Sequence, residues 1–350
     1  MQGVINGKKR IAIPIMTHPG IELIGKTVLE AVSNGKVQFE AIKALDQKYT
    51  SAACTSVMDL TVEAEAFGAK INFSKDEVPT VIGRLVSDRE SVENLQIPDL
   101  SAGRIPQYLW ANKLTAEYAE DKPVFGGTIG PFSLAGRLYD ISELMVACYC
   151  EPDVVEILLN KCTEFLKRYC LELKRQGADG VLIAEPAAGL LSGEDCSAFS
   201  SRYIRNIVEA VQDDSFMVVL HNCGNTGQCT AAMLESGALG YHFGNKIDMA
   251  LALKDCPSDV LVLGNLDPVI FRSASPDVIR LNTTELLNAT SCFPNYVLSS
   301  GCDVPPHTPH VNIDAFYGAL GEYNNRKITP SCASLARGYQ CKSPFGDGKE

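Results

Sequence analysis

Short apolar runs rich in valine, isoleucine and leucine recur along the chain and alternate with longer segments whose apolar positions return every three to four residues. The first pattern is that of strands buried on both faces, the second that of amphipathic helices covering them. Eight runs predict strands: Ile11–Met16, Ala52–Met58, Val124–Ile129, Gly180–Ala184, Met217–His221, Leu239–Phe243, Val260–Gly264 and Tyr296–Ser300. The clearest helix spans Pro152 to Gln176, where Val154, Val155, Leu158, Cys162, Phe165, Leu166, Tyr169 and Leu173 share one face. Eight strand–helix units predict a (β/α)8 TIM-type barrel. In that fold active sites gather at the carboxyl ends of the strands. Here those ends carry Asp59, Gly130-Pro131, Glu185-Pro186, His221, His242, Asp267 and Cys302.

Two segments depart from the regular spacing. The connection from Gly68 to Pro123, with Pro79, Pro98 and Pro106, is long for a compact domain and reads as an excursion over the barrel mouth between strands two and three. After Arg326 the periodicity fades and proline, glycine and cysteine increase. The expected organisation is one catalytic barrel over 1–326 and an irregular tail over 327–350.

With 350 residues, 46% apolar and 21% charged, the chain is long enough for one such barrel. A net charge of -11 without a basic run argues against nucleic acid or an anionic membrane surface as partners. No apolar run approaches a membrane span or the core of a signal peptide, so a soluble, unexported, cytoplasmic enzyme is expected. The thirteen cysteines scatter through predicted helices and strand ends, which fits reduced thiols better than a disulfide framework.

Three of the strand-end residues suit a metal. "VVLHNCGN" places His221 and Cys223, and "YVLSSGCDVPPHTP" places Cys302, where strands pass into loops. One imidazole and two thiolates suit Zn2+ and leave its fourth tetrahedral position free, the arrangement of a catalytic zinc. A thiol entering that position would be held as thiolate at neutral pH.

The ordered motifs "MDLTVEAEAFGA", "GPFSLAG", "HNCG", "GNLDPV" and "SSGCDVPPHTP" cover nearly the whole chain. In that order they resemble the uroporphyrinogen decarboxylase superfamily, and within it the methylcobamide:coenzyme M methyltransferase branch, whose H-x-C and later Cys are zinc ligands. Against that family "VINGKKRIAIPI" matches the end of the usual leading helix, so the resemblance implies that part of that helix is missing here. The resemblance implies methyl transfer from a methylcorrinoid, protein-bound or free methylcobalamin, to a zinc-bound thiol such as coenzyme M. No D-x-H-x-x-G corrinoid motif is present, so a methylated corrinoid protein or free cobalamin must deliver the methyl group. Oligomeric state is left open.

The resemblance also sets Asp59 at the position of the superfamily's catalytic aspartate, where it would orient substrate or a ligand histidine, or cap the following helix. Glu185 would be a fourth zinc ligand displaced by thiol, a hydrogen-bond acceptor for a ligand, or a helix cap. His18, His242 and Asp267 are expected to line the substrate or cofactor pocket, with His242 alternatively a strand-end histidine satisfied by a backbone carbonyl; His307 and His310 would line the mouth or sit in a solvated loop. Two other functions compete. Porphyrinogen decarboxylation would need guanidinium partners for many carboxylates, yet "MTHPGIELIG" has no arginine where decarboxylases carry an Arg-rich motif. The other is a zinc barrel that alkylates thiols with a different electrophile, or binds a corrinoid protein without turnover.

Overall fold

Seven parallel strands lie side by side in a computed structural model that describes residues 2–7 and 9–326. They are β1 (Cys54–Thr55), β4 (Val124–Ile129), β5 (Gly180–Ala184), β6 (Met217–Asn222), β7 (Gly240–Phe243), β8 (Leu261–Leu266) and β9 (Tyr296–Ser300), paired in chain order. The antiparallel strands β2 (Lys70–Asn72) and β3 (Thr80–Ile82) form a separate hairpin. The predicted first strand is the eighth stave. Ile13 N–H donates to the Leu298 carbonyl, and Ala52 N–H donates to the Ala12 carbonyl, so this segment bridges β9 and the stretch leading into β1. Its ladder is a single bridge, Ala12 to Leu298, because Pro14 has no N–H to give and Ile15 N–H turns to the Ser300 hydroxyl instead. The chain is therefore a (β/α)8 barrel closed by an irregular stave.

Alternation along the strands sorts their side chains. Leu182, Val219, Leu263 and Val297 pack together with Ile15 inside the barrel, whereas Val181, Ile183, Val218, Leu220 and Leu298 join the outer core beneath the helices. Helix Pro152–Arg175, one residue shorter than expected, buries Val154, Leu158, Cys162, Phe165, Leu166 and Tyr169 in that outer layer. Two residues beyond Val219 and Val297, the inward positions become His221 and Ser299. The interior is thus apolar at its base and polar at the carboxyl end.

The Gly68–Pro123 connection is built rather than loose. It holds the β2–β3 hairpin, a short helix Arg89–Asn94 and the helix Ile105–Tyr118. That last helix packs against helix Gly35–Lys48 and β4, which makes it the covering helix of the second strand–helix unit. The prolines and acidic residues hid this because Pro106 sits in the first turn, where a missing N–H costs nothing. The predicted tail, 327–350, lies outside the described residues. Among the described residues no helix is long and apolar enough to cross a membrane.

Candidate metal centre

His221 and Cys223 come from the end of β6, and Cys302 from the turn after β9. Their ligand atoms lie within 4.8 Å of one another, with His221 buried and both cysteines half-buried. Zinc bonded at about 2.0–2.3 Å to each would need adjustments of roughly an ångström shared among three side chains, and the donor set suits it. Both cysteine residues keep partial exposure at the carboxyl end of the barrel. Glycines permit this convergence: a Cβ on Gly244 would lie 2.6 Å from the Cys223 carbonyl oxygen, and one on Gly301 would lie 2.7 Å from the Asn245 nitrogen. The loop after β7 can therefore rest directly on both cysteine loops.

The two thiols lie beside each other. Interaction with the Cys302 side chain holds Cys223 down to about 7, against the opposing effect of burial and with a smaller contribution from the Lys246 ammonium. The same interaction, then burial, pushes Cys302 up to about 12. Next to Cys302, Asp303 accepts from Thr17 N–H at 2.8 Å, and burial pushes its carboxyl up to about 7.

His242, expected to line the pocket, is fully buried and bonded to His221, with Nδ1 atoms 2.7 Å apart. Burial, then the neighbouring His221, hold it well below the usual imidazole range. Of the roles expected for Glu185, the helix cap is the one its hydrogen bonds show. Its oxygens accept from Phe132 N–H at 3.1 Å and Ser133 N–H at 2.5 Å, so it caps helix Pro131–Tyr139. Ala184 points into the barrel, and the next residue points out toward that helix. Burial nonetheless pushes Glu185 up to about 7. Asp267, expected in the cofactor pocket, accepts from Val269 N–H at 2.9 Å as the cap of helix Pro268–Ser273.

His18 is buried one residue from Thr17, which ties the Asp303 loop to Met58, and burial lowers its pKa. His307 is exposed and lies 3.6 Å from Glu22, while the His310 ring meets the Tyr49 hydroxyl at 3.0 Å.

Asp59 is held in a network that sequence reasoning missed. Oδ1 accepts from Thr61 N–H at 3.0 Å and the Thr61 hydroxyl at 2.6 Å; Oδ2 accepts from Arg104 at 2.5 Å and the Tyr108 hydroxyl at 3.2 Å. Arg104 also binds Glu65 at 2.5 Å and lies 4.9 Å over the Phe73 ring of the hairpin. Arg104 and Tyr108 come from the segment read as an excursion, where no motif distinguishes them. A carboxylate offers about four acceptor directions, and all four of Asp59's are filled.

Behind Asp59, Glu63 is buried, with Oε1 accepting from the Thr128 hydroxyl at 2.6 Å and Ile129 N–H at 3.1 Å, while Oε2 has no partner. Burial pushes its carboxyl up to about 7. The folded value lies above the unfolded one near 4.3, so the favourable protonated state is fully present below that value and is lost as pH rises through 7. Glu63→Gln copies the protonated acid. It should match wild type near pH 4 and gain on it by roughly 3 kcal/mol by pH 8.5 in denaturant titrations. A gap that does not widen with pH would refute the assignment.

Fold and site together define a (β/α)8 barrel whose mouth presents an imidazole and two thiols. The chain belongs to the uroporphyrinogen decarboxylase family: the family described as "Uroporphyrinogen decarboxylase (URO-D)" matches residues 10–323. It is 31% identical over 270 residues to "Methylcobamide:CoM methyltransferase MtbA" of Methanosarcina acetivorans, covering 76% of this chain and 78% of that protein. It is 25% identical over 286 residues to "Uroporphyrinogen decarboxylase" of Legionella pneumophila, covering 79% and 80%. Among solved structures, "methyltransferase from Methanosarcina mazei" superposes with a TM-score of 0.84 at 26% identity, over 92% of this chain and 97% of that one.

Proposed function

We propose that this protein transfers a methyl group from a methylcorrinoid, delivered by a corrinoid protein or as free methylcobalamin, to a small thiol such as coenzyme M. The observation that carries the reading is the convergence of His221, Cys223 and Cys302 within 4.8 Å at the mouth. The likeness to methylcobamide:CoM methyltransferases supports it. These three side chains would hold Zn2+, which when bound supplies a Lewis acid that keeps an incoming thiol deprotonated.

The residues of the chain account for the rest. Two cysteinates and a neutral imidazole keep the centre electron-rich, which favours a nucleophilic sulfur over a water-activating metal. The partial exposure of Cys223 and Cys302 supports approach of a thiol from solvent. The thiolate electron pair forms the S–CH3 bond, the Co–C bond breaks with its pair left on cobalt, and the thiol proton has already passed to solvent. Asp59, with every acceptor direction filled, has none left for a pyrrole N–H, which disfavours the decarboxylase alternative.

The test follows cobalt absorbance with methylcobalamin and thiol. Demethylation should require the thiol, disappear on zinc chelation and return with about one equivalent of zinc per chain. Uroporphyrinogen should keep its carboxyl groups. Zinc-independent methyl loss, or carbon dioxide release from the tetrapyrrole, would overturn the reading.

A further inference from the structure

Behind His221 runs a chain of hydrogen bonds into the barrel wall. His221 Nδ1 lies 2.7 Å from His242 Nδ1 and 3.3 Å from the His242 carbonyl oxygen. The other nitrogen of His242, Nε2, is 2.8 Å from the Ser299 hydroxyl, which in turn is 2.7 Å from the Ile13 carbonyl. The register explains the proximity: His221 and His242 are direct partners on β6 and β7, and Ser299 is the inward residue of β9 above Val297. His242 and Ser299 are fully buried and His221 nearly so, so water does not compete for these bonds.

The two carbonyls fix the direction of donation throughout. A carbonyl can only accept, so the single Ser299 proton goes to Ile13, and Ser299 must receive its second bond from His242 Nε2–H. Neutral His242 then carries no proton on Nδ1, which accepts from His221 Nδ1–H. The His242 carbonyl independently demands the same donor at His221 Nδ1. The opposite arrangement would leave the Ser299 oxygen and the Ile13 carbonyl 2.7 Å apart with no proton between them. With Nδ1 protonated, neutral His221 has its free lone pair on Nε2, the nitrogen left for the thiol side.

We propose that His242 and Ser299 are positioning residues that impose the Nδ1–H tautomer on His221 and so aim an unprotonated Nε2 at the metal. The proposal deepens the metal reading above and rests on it for its consequence, though not for its geometry. Ser299→Ala removes the acceptor of His242 Nε2–H. His242 is then free to carry its proton on Nδ1, which forces His221 to carry its own on Nε2, where it blocks the metal. Ser299→Thr keeps the hydroxyl.

The experiment uses the full chain labelled with 15N-histidine. Two-bond proton–nitrogen spectra of the metal-free protein report the tautomer of each of the five histidines. Wild type and Ser299→Thr should show His221 protonated at Nδ1, and Ser299→Ala should shift it toward Nε2. Zinc affinity from chelator competition should fall about 10- to 100-fold in Ser299→Ala and recover in Ser299→Thr. An Nε2-protonated His221 in wild type, or unchanged tautomer and affinity in Ser299→Ala, overturns the proposal. If wild type binds no zinc, the metal reading fails, and the tautomer spectra still decide the relay on their own.

Discussion

Alanine at Cys302 is expected to remove the zinc and, with it, methyl transfer by several orders of magnitude, while the barrel stays folded. Cys302 would supply one of the three proposed ligands from the turn after β9, and an imidazole with one thiolate is too few donors to retain zinc against a chelator. The fold survives because it is held by the two layers of apolar packing, in which truncating one leucine costs about 2–5 kcal/mol, and not by metal as in a zinc finger. Metal content, far-UV circular dichroism and the cobalt assay test all three parts. Cys223→Ala should behave alike. Full zinc occupancy in either variant would sink the site. Proton release adds a signature: with Cys302 pushed up to about 12 before loading, zinc binding near neutral pH must expel its proton, so apparent affinity should rise with pH.

Arg104→Met should cost about 3–5 kcal/mol of stability, because it leaves the Asp59 carboxylate buried without its cation. The Asp59 side chain has no exposed surface, so water cannot replace the guanidinium. In the double variant Asp59→Asn/Arg104→Met the buried charge disappears, and a good part of the loss should return. A loss below about 1 kcal/mol in the single variant, measured by urea denaturation, would mean that the pair is solvated and that Asp59 is freer than its four bonds imply.

The barrel and the metal trio were legible because each rests on a repeating or strongly typed signal: β-branched runs with helical spacers, and H-x-C with a distant Cys at strand ends. What was not legible shares a cause. Strand-end position alone does not place a side chain at the mouth, because alternation decides which way it goes. Glu185 follows the inward Ala184 and therefore leaves the barrel to cap helix Pro131–Tyr139. Asp267 follows a strand that runs to Leu266 and meets the next helix directly. His242 points inward as expected, but its partner is the residue opposite it on β6, and strand register is not visible in a single sequence. Arg104 was unreadable for a different reason: it reaches Asp59 across 45 positions from a helix start with no motif of its own.

The irregular closing stave has a consequence for how the protein is made. Ile15 and the Ser300 hydroxyl that receives its N–H are 285 positions apart, so the barrel is a ring whose clasp joins an early segment to a very late one. At ribosomal speeds of about 5–20 residues per second, roughly 15–60 s separate the synthesis of the two halves. Throughout that interval Ile13 has no Ser299 to accept from, and from its own synthesis onward Cys223 waits for Cys302. The nascent chain therefore carries an open sheet edge and an unfinished thiol group until its last strand emerges. Assembly of the three side chains proposed to hold a metal therefore waits for β9.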